Sequence, residues 1–265
     1  TIVVFTSDHG ELLGAHGGLF QKWYQAYEEA IHVPLIIHNP VLFPEPAGTE
    51  MLTSHVDLLP TLLGIAGLDP GKLQAELRKN HTEVHPLVGR NLTPLLLGKR
   101  VFKGAGEPLY FMTDDNVTKG LNQVSAFGIP YHAVLQPNSI ETVITTLPTG
   151  RGGATELWKY SRYFANPQFQ SIPGRSAQFP YRGPTIYPFN PGCQPDPPPN
   201  GLPVPDQYEM YNLTRDPLEV ENLIHHPAPA LKRIRVILNR LLREQCQQKR
   251  LYPTSGEVPN KPSCS

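Results

Sequence analysis

No excess of either charge marks this 265-residue chain: Lys plus Arg and Asp plus Glu both number 23, so the formal net charge is zero. Without a one-signed field, no electrostatic drive favours nucleic acid or an anionic membrane, and neither is expected as a partner. Long apolar runs are missing too. Val33 to Ile37 and Leu95 to Leu97 are the longest kind present, far short of the ~20 residues of a membrane span. Cysteine is sparse, with only Cys193, Cys246 and Cys264. None is spaced for a zinc knuckle or a disulfide-dense module, and the redox compartment stays open. Thr1 to Thr6 contain no initiator Met, no basic leader and no small-residue cleavage site, and read as a strand already inside a fold. Asn80, Asn91, Asn116 and Asn212 each open an Asn-x-Thr triplet. Such triplets accept glycans only in a secretory host and arise often by chance, so they carry no weight alone.

What is present is enough apolar residue, 39% of the chain, to fill the core of a soluble globular protein. Ile2 to Phe5 is a continuous β-branched and apolar run, as in a parallel strand buried on both faces. Ser7-Asp8-His9-Gly10 ends it, at the strand end where α/β sheets gather ligands. Gln21 to Ala30 reads as a short helix and Val33 to His38 as the next buried strand. Ser54 is placed to cap a helix whose Val56, Leu59, Leu62, Leu63 and Ala66 recur at helical spacing, with Gly67 as its stop. The order β, α, β, α gives an α/β layer.

From about Lys103 the texture changes to short strand-like pieces broken by Gly and Pro. Ile140 to Thr146 and Leu157 to Phe164 suggest an antiparallel hairpin, and Tyr208 to Tyr211 a third strand. Pro167 to Pro205 reads as a long surface loop. Leu231, Ile234, Ile237, Leu238, Leu241 and Leu242 form an apolar stripe on a helix from Pro229 to about Glu244, expected to pack on that sheet. Residues 1–102 are therefore expected as one α/β unit, 103–252 as a smaller α+β subdomain, and 253–265 as a loose tail.

The chemistry concentrates in Thr6-Ser7-Asp8-His9-Gly10-Glu11, Gly14-Ala15-His16-Gly17, Lys22 and Tyr27-Glu28-Glu29. Asp8 and His9 offer an oxygen and a nitrogen donor to a divalent cation, and Gly10 lets the chain turn away at once. Lys22, a compact point charge, suits a tetrahedral oxyanion. An Asp-His pair alone is as readily a cap and a backbone-bonded ring.

The whole ordered string resembles the sulfatase family of the alkaline-phosphatase superfamily. Ser54-His55-Val56-Asp57-Leu58-Leu59-Pro60-Thr61-Leu62-Leu63 is similar to the family's core helix, and Leu92-Thr93-Pro94-Leu95-Leu96 to the segment closing that domain. Tyr208-Glu209-Met210-Tyr211-Asn212-Leu213, Asp216-Pro217 and Glu221-Asn222-Leu223 are similar to its late strand and turn. The Asp-His form resembles the branch with choline sulfatases, iduronate-type sulfatases and phosphonate monoester hydrolases.

The resemblance implies an incomplete alkaline-phosphatase-like α/β core and hydrolysis of a small sulfate ester, or of a phosphonate or phosphate ester. A non-catalytic module retaining the fold is the reading from a different class. The resemblance makes Asp8 and His9 metal ligands, Lys22 a catalytic group contacting the sulfate oxygens, and His16 a substrate-pocket residue; Glu11 is expected only to favour a helix N-terminus. The implied cofactors are a divalent cation, calcium with manganese as the alternative, and a formylglycine nucleophile. The resemblance places that nucleophile and its Cys/Ser-x-Pro-x-Arg motif in the N-terminal half, ahead of Thr1; Cys193-Gln194-Pro195-Asp196-Pro197 imitates the first three positions but has Pro197 where Arg is needed. Asp114-Asp115 reads as a turn. The chain is thus expected to begin within the catalytic domain, to need the N-terminal half of the same enzyme, and to be inactive alone. Homo-oligomerisation and compartment are left open.

Overall fold

β1 (Val3–Thr6) and β2 (Leu35–His38) pair in opposite directions, with Val4 facing Ile37 and Phe5 facing Ile36. The structure, a computed structural model, describes residues 1–19, 22, 25–99, 104, 106–114, 139–164, 206–252 and 264. The expected parallel strand buried on both faces is corrected here. Because the chain reverses between the two strands, they meet antiparallel, and Val3, Phe5 and Ile36 stand 53%, 60% and 57% exposed on one face.

Of the helix expected over Gln21 to Ala30, residues 21, 23 and 24 lie outside the described residues, and the rest shows one turn, α2 (Glu28–Ile31). Gln25 explains the loss: its side chain accepts the Tyr27 N–H and donates to the Lys22 carbonyl, local bonds that replace a helical ladder. Before it, α1 (Ala15–Gly18) is a single irregular turn in which His16 and Gly17 take left-handed φ of 51° and 80°.

Asp57 reaches back to the Ser54 N–H, and the chain passes through a 3₁₀ turn (His55–Asp57) into α3 (Leu58–Ile65). Gly67, at φ +68°, follows as the stop expected. The buried face differs from the expected one. Pro60 and Thr61 point inward, whereas Val56, Leu59 and Leu62 are exposed. An ion pair anchors this region: Arg90 Nη2 lies 2.7 Å from Asp57 Oδ2, with both side chains buried. α4 (Pro70–Leu77), not anticipated, starts from Asp69, whose carboxylate accepts the N–H groups of Gly71 and Lys72, with Pro70 in the first turn. The Thr93 hydroxyl then ties α5 (Thr93–Leu96) to the Thr61 carbonyl.

Four antiparallel strands follow, ordered β3 (Leu109–Asp114), β4 (Ser139–Leu147), β5 (Glu156–Phe164) and β6 (Gln207–Asn212). The β4–β5 hairpin and the place of β6 agree with the alternating pattern; β3 is an additional strand. Asp114 closes β3 opposite Ser139 rather than forming a turn. Asp115, Cys193 and the expected loop Pro167 to Pro205 lie outside the described residues.

α6 (Pro229–Lys249) runs five residues past the expected end at Glu244. Its Ile234, Leu238, Leu242 and Cys246 pack on Tyr110, Val143, Trp158, Tyr160 and Met210. Burying each such aliphatic side chain contributes ~1.5–3 kcal/mol. Ile237, expected in that stripe, is exposed instead. Of the expected tail 253–265 only Cys264 is among the described residues, and it is disulfide-bonded to Cys246.

The sheet also carries the N-terminal segment. Ala26 packs on Ile140 and Tyr163, while Tyr27, Ile31 and Leu52 pack around Ile144, Tyr211 and Leu213. Tyr27 Oη donates to Glu209, and burial pushes its hydroxyl pKa up to about 12.

Candidate metal and anion site

β1 delivers the chain to a tight turn over Ser7 to Gly10. The Ser7 hydroxyl donates to the His9 carbonyl at 2.6 Å, and the His9 N–H donates to Asp8 Oδ1 at 3.0 Å. That backbone bond, aided by the His9 ring, holds the exposed Asp8 carboxyl below its usual range. Gly10 is required by close approach: its N–H bonds the Ala30 carbonyl at 2.8 Å, and a Cβ there would lie 2.0 Å from the Glu29 carbonyl oxygen.

His9 Nδ1 sits 2.8 Å from the Gly10 carbonyl oxygen, which can only accept. Nδ1 can donate there, a bond that sets the direction of the ring. Nε2 lies 3.2 Å from Asp8 Oδ2. A carboxylate oxygen and an imidazole nitrogen at that separation suit two adjacent ligands of one cation, which would take the place of a proton between them, since metal–donor bonds run ~2.0–2.6 Å.

Lys22 comes near this turn through Glu11, its Nζ 3.7 Å from Glu11 Oε2. Glu11 Oε1 is buried without a hydrogen-bond partner among the described residues. So loose a pair, each side chain about a third exposed, contributes little to stability.

His16, expected in a substrate pocket, is engaged from behind. Its Nε2 lies 3.0 Å from Glu29 Oε2, and its ring stacks on Tyr27 with centroids 3.6 Å apart. Burial works to raise the Glu29 carboxyl, but the His16 hydrogen bond, a backbone hydrogen bond and the charges of His16 and Lys159 together outweigh it, and the net shift is downward. His16, Glu29 and Glu219 bring ligand-type atoms within 4.8 Å of one another. Positive charge is already present beside them. Lys159 Nζ pairs with Glu219 at 2.7 Å and Glu28 at 2.8 Å, and donates to the Ala26 carbonyl at 2.8 Å.

Sequence reasoning missed Lys159 and Glu219, since one lies inside a β run and the other in a turn, with no local sign of burial. His55, in the helix-opening string, has its Nε2 3.4 Å from Thr6 Oγ1 at the root of the Ser7–Gly10 turn. A groove of about 340 Å³ between α3 and α4, lined by Leu59, Leu63, Leu73, Leu77 and His85, is apolar and includes none of Asp8, His9 or Lys22.

Residues 1–68 are similar to a known family. They match the family model described as Sulfatase, and this stretch contains Asp8, His9, His16 and Lys22. Over 69 residues, 26% of the chain, the protein is 41% identical to the uncharacterized sulfatase YidJ of Escherichia coli, covering 13% of that protein. Over 70 residues, again 26% of the chain, it is 46% identical to arylsulfatase K of Xenopus laevis, covering 12%. Human iduronate 2-sulfatase is 39% identical over 94 residues, with 26% of this chain and 16% of the relative covered.

The likeness in fold extends further. The phosphonate monoester hydrolase of Agrobacterium radiobacter superposes with a TM-score of 0.52 at 20% identity, covering 94% of this chain and 35% of that one. The structure of BT4656 in complex with its substrate D-glucosamine-2-N,6-O-disulfate gives 0.50 at 20% identity, covering 94% and 34%. The chain shares the fold of these two proteins over about a third of their length.

Proposed function

We propose that this chain is part of a metal-dependent sulfatase, in which it supplies one side of the site that hydrolyses sulfuric esters. The observation that carries the reading is the Asp8–His9 turn, a carboxylate oxygen and an imidazole nitrogen 3.2 Å apart at the end of β1. It falls inside the sulfatase-matched segment.

Asp8 and His9 would hold a divalent cation, calcium or manganese, whose chemistry when bound is to polarise a sulfate oxygen and offset charge developing on it. Asp8 contributes a carboxylate kept ionised by its backbone bond, and His9 an imidazole nitrogen fixed in direction by Gly10. Lys22 would leave its loose contact with Glu11 to face the remaining oxygens of the transferred group. His16 would form the wall behind them, held by Glu29 and Tyr27. The formylglycine nucleophile belongs in this reading to the rest of the enzyme, and the exposed apolar face of Val3, Phe5 and Ile36 supports such a neighbour. The substrate is a small sulfate ester, as in the disulfated glucosamine complex of BT4656.

A point charge such as Lys22 does not by itself separate sulfur from phosphorus. The fold likeness to a phosphonate monoester hydrolase keeps a phosphonate or phosphate ester as the second reading.

The test is hydrolysis by the complete enzyme of paired aryl sulfate and aryl phosphonate esters, against metal concentration, with bound metal quantified. Asp8→Ala should lower metal occupancy, and added cation should restore part of the activity. Lys22→Ala should leave metal bound but cut turnover by ~10²-fold or more, without rescue by cation. Near-normal turnover in either variant refutes the residue roles, and faster phosphonate than sulfate hydrolysis selects the second reading.

A further inference from the structure

We propose that this chain matures in an oxidising, glycosylating compartment and that Asn80, on the turn leaving α4, is its N-glycan site. Two independent features converge on it.

The first is the cross-link. Cys246, 1% exposed on the sheet-facing side of α6, is joined to Cys264 with their Cα atoms 5.8 Å apart. Cys264 packs against the same core as Trp158 and Leu242. The bond forms when both thiols lose their protons and pass two electrons to the disulfide of a thiol–disulfide oxidoreductase, which leaves as the dithiol. Structural cross-links of this kind persist in secretory and extracellular settings and are rare where glutathione keeps thiols reduced.

The second feature is how the fold sorts the Asn-x-Thr triplets. Asn212 is 4% exposed; its amide donates to Glu156, and its oxygen accepts from the Thr214 and Arg215 N–H groups. A glycan there would break the β5–β6 edge. Asn91 lies against α3, where a Cβ on Gly64 would come within 2.3–2.6 Å of its amide group, and the Thr93 hydroxyl is committed to the Thr61 carbonyl. Asn116 lies outside the described residues. Asn80, His81 and Thr82 are all exposed, on a turn that α4 has already left. Exposed turns of this type are where the chain best tolerates bulk. There the Asn80 Nδ2, losing a proton, would bond the anomeric carbon of a lipid-pyrophosphate-linked oligosaccharide, and the lipid pyrophosphate would leave.

The test is peptide mapping of the protein recovered from the cells that make it. Without reductant, a linked pair of peptides containing Cys246 and Cys264 should be found. Enzymatic removal of N-glycans in heavy-oxygen water should label Asn80 as Asp and leave Asn212 unlabelled. Asn80→Gln should lose the mass of one glycan while keeping the cross-link and the melting temperature. Free thiols at both cysteines overturn the compartment; an unmodified Asn80 in a cross-linked chain overturns the site.

Discussion

Lys159→Met would remove the charge that ties the β5 strand to the segment behind the Asp8–His9 turn. The ammonium is 1% exposed and faces Glu219, equally buried, at 2.7 Å, Glu28, 22% exposed, at 2.8 Å, and the Ala26 carbonyl at 2.8 Å. Methionine keeps the length and the apolar stem, so packing changes little. What changes is electrostatic. Glu219 would remain buried without its cation, keeping only the Glu28 N–H at 2.7 Å, whereas Glu28 can rehydrate. Removing one partner of a buried pair costs about 3–5 kcal/mol. Burial already pushes the Glu219 carboxyl above its ordinary value, and losing Lys159 removes the opposing pull. The folded state of the variant therefore holds the Glu219 proton more tightly than the unfolded one. Its deficit should shrink as pH falls toward and below that raised folded value, where Glu219 is neutral. Adding Glu219→Gln should recover much of the loss, with a coupling of ~0.5–3 kcal/mol between the two sites. The assay is urea unfolding of the 265-residue chain, followed by circular dichroism at two pH values. A Lys159→Met chain within about 1 kcal/mol of wild type at neutral pH, the scale of an exposed pair, would refute the reasoning.

Two further outcomes are expected. Gly10→Ala places a Cβ 2.0 Å from the Glu29 carbonyl oxygen, a backbone atom with nowhere to go; overpacking of this kind costs ~1–3 kcal/mol, and calorimetric cation binding by the complete enzyme should weaken as the turn shifts. The Glu156 carboxyl is held below 4.5 chiefly by the Thr149 hydroxyl, with help from Arg215 and Asn212. Its stabilisation is present above that value and lost as pH falls through the lowered folded one, so Glu156→Gln should flatten the fall in melting temperature from neutral pH to about pH 3. An unchanged slope would show that Glu156 is not the group responsible.

Much of the architecture was legible because it rests on local physical rules. Alternation of side chains revealed the β4–β5 hairpin and β6, and the 3.6-residue period revealed α6 and its Leu238–Leu242 face. The Ser54–Asp57 cap and the Gly67 stop were equally readable. So was the Asp8-His9-Gly10 turn at the end of a strand. Ile237, Val56, Leu59 and Leu62 obey the same period yet face solvent, because periodicity names a face without naming what covers it.

The tertiary structure alone decided the rest. An apolar run such as Val3 to Thr6 is equally suited to either strand direction, and only its neighbour Leu35 to His38 makes it antiparallel. Lys159 reads as a polar interruption between Trp158 and Tyr160 until Ala26, 133 residues away, closes over it. Cys246 and Cys264 are 18 residues apart in no recognisable pairing motif, and become partners where α6 packs on the sheet. Burial, charge pairing and cross-linking are long-range properties, fixed when distant segments meet and displace water.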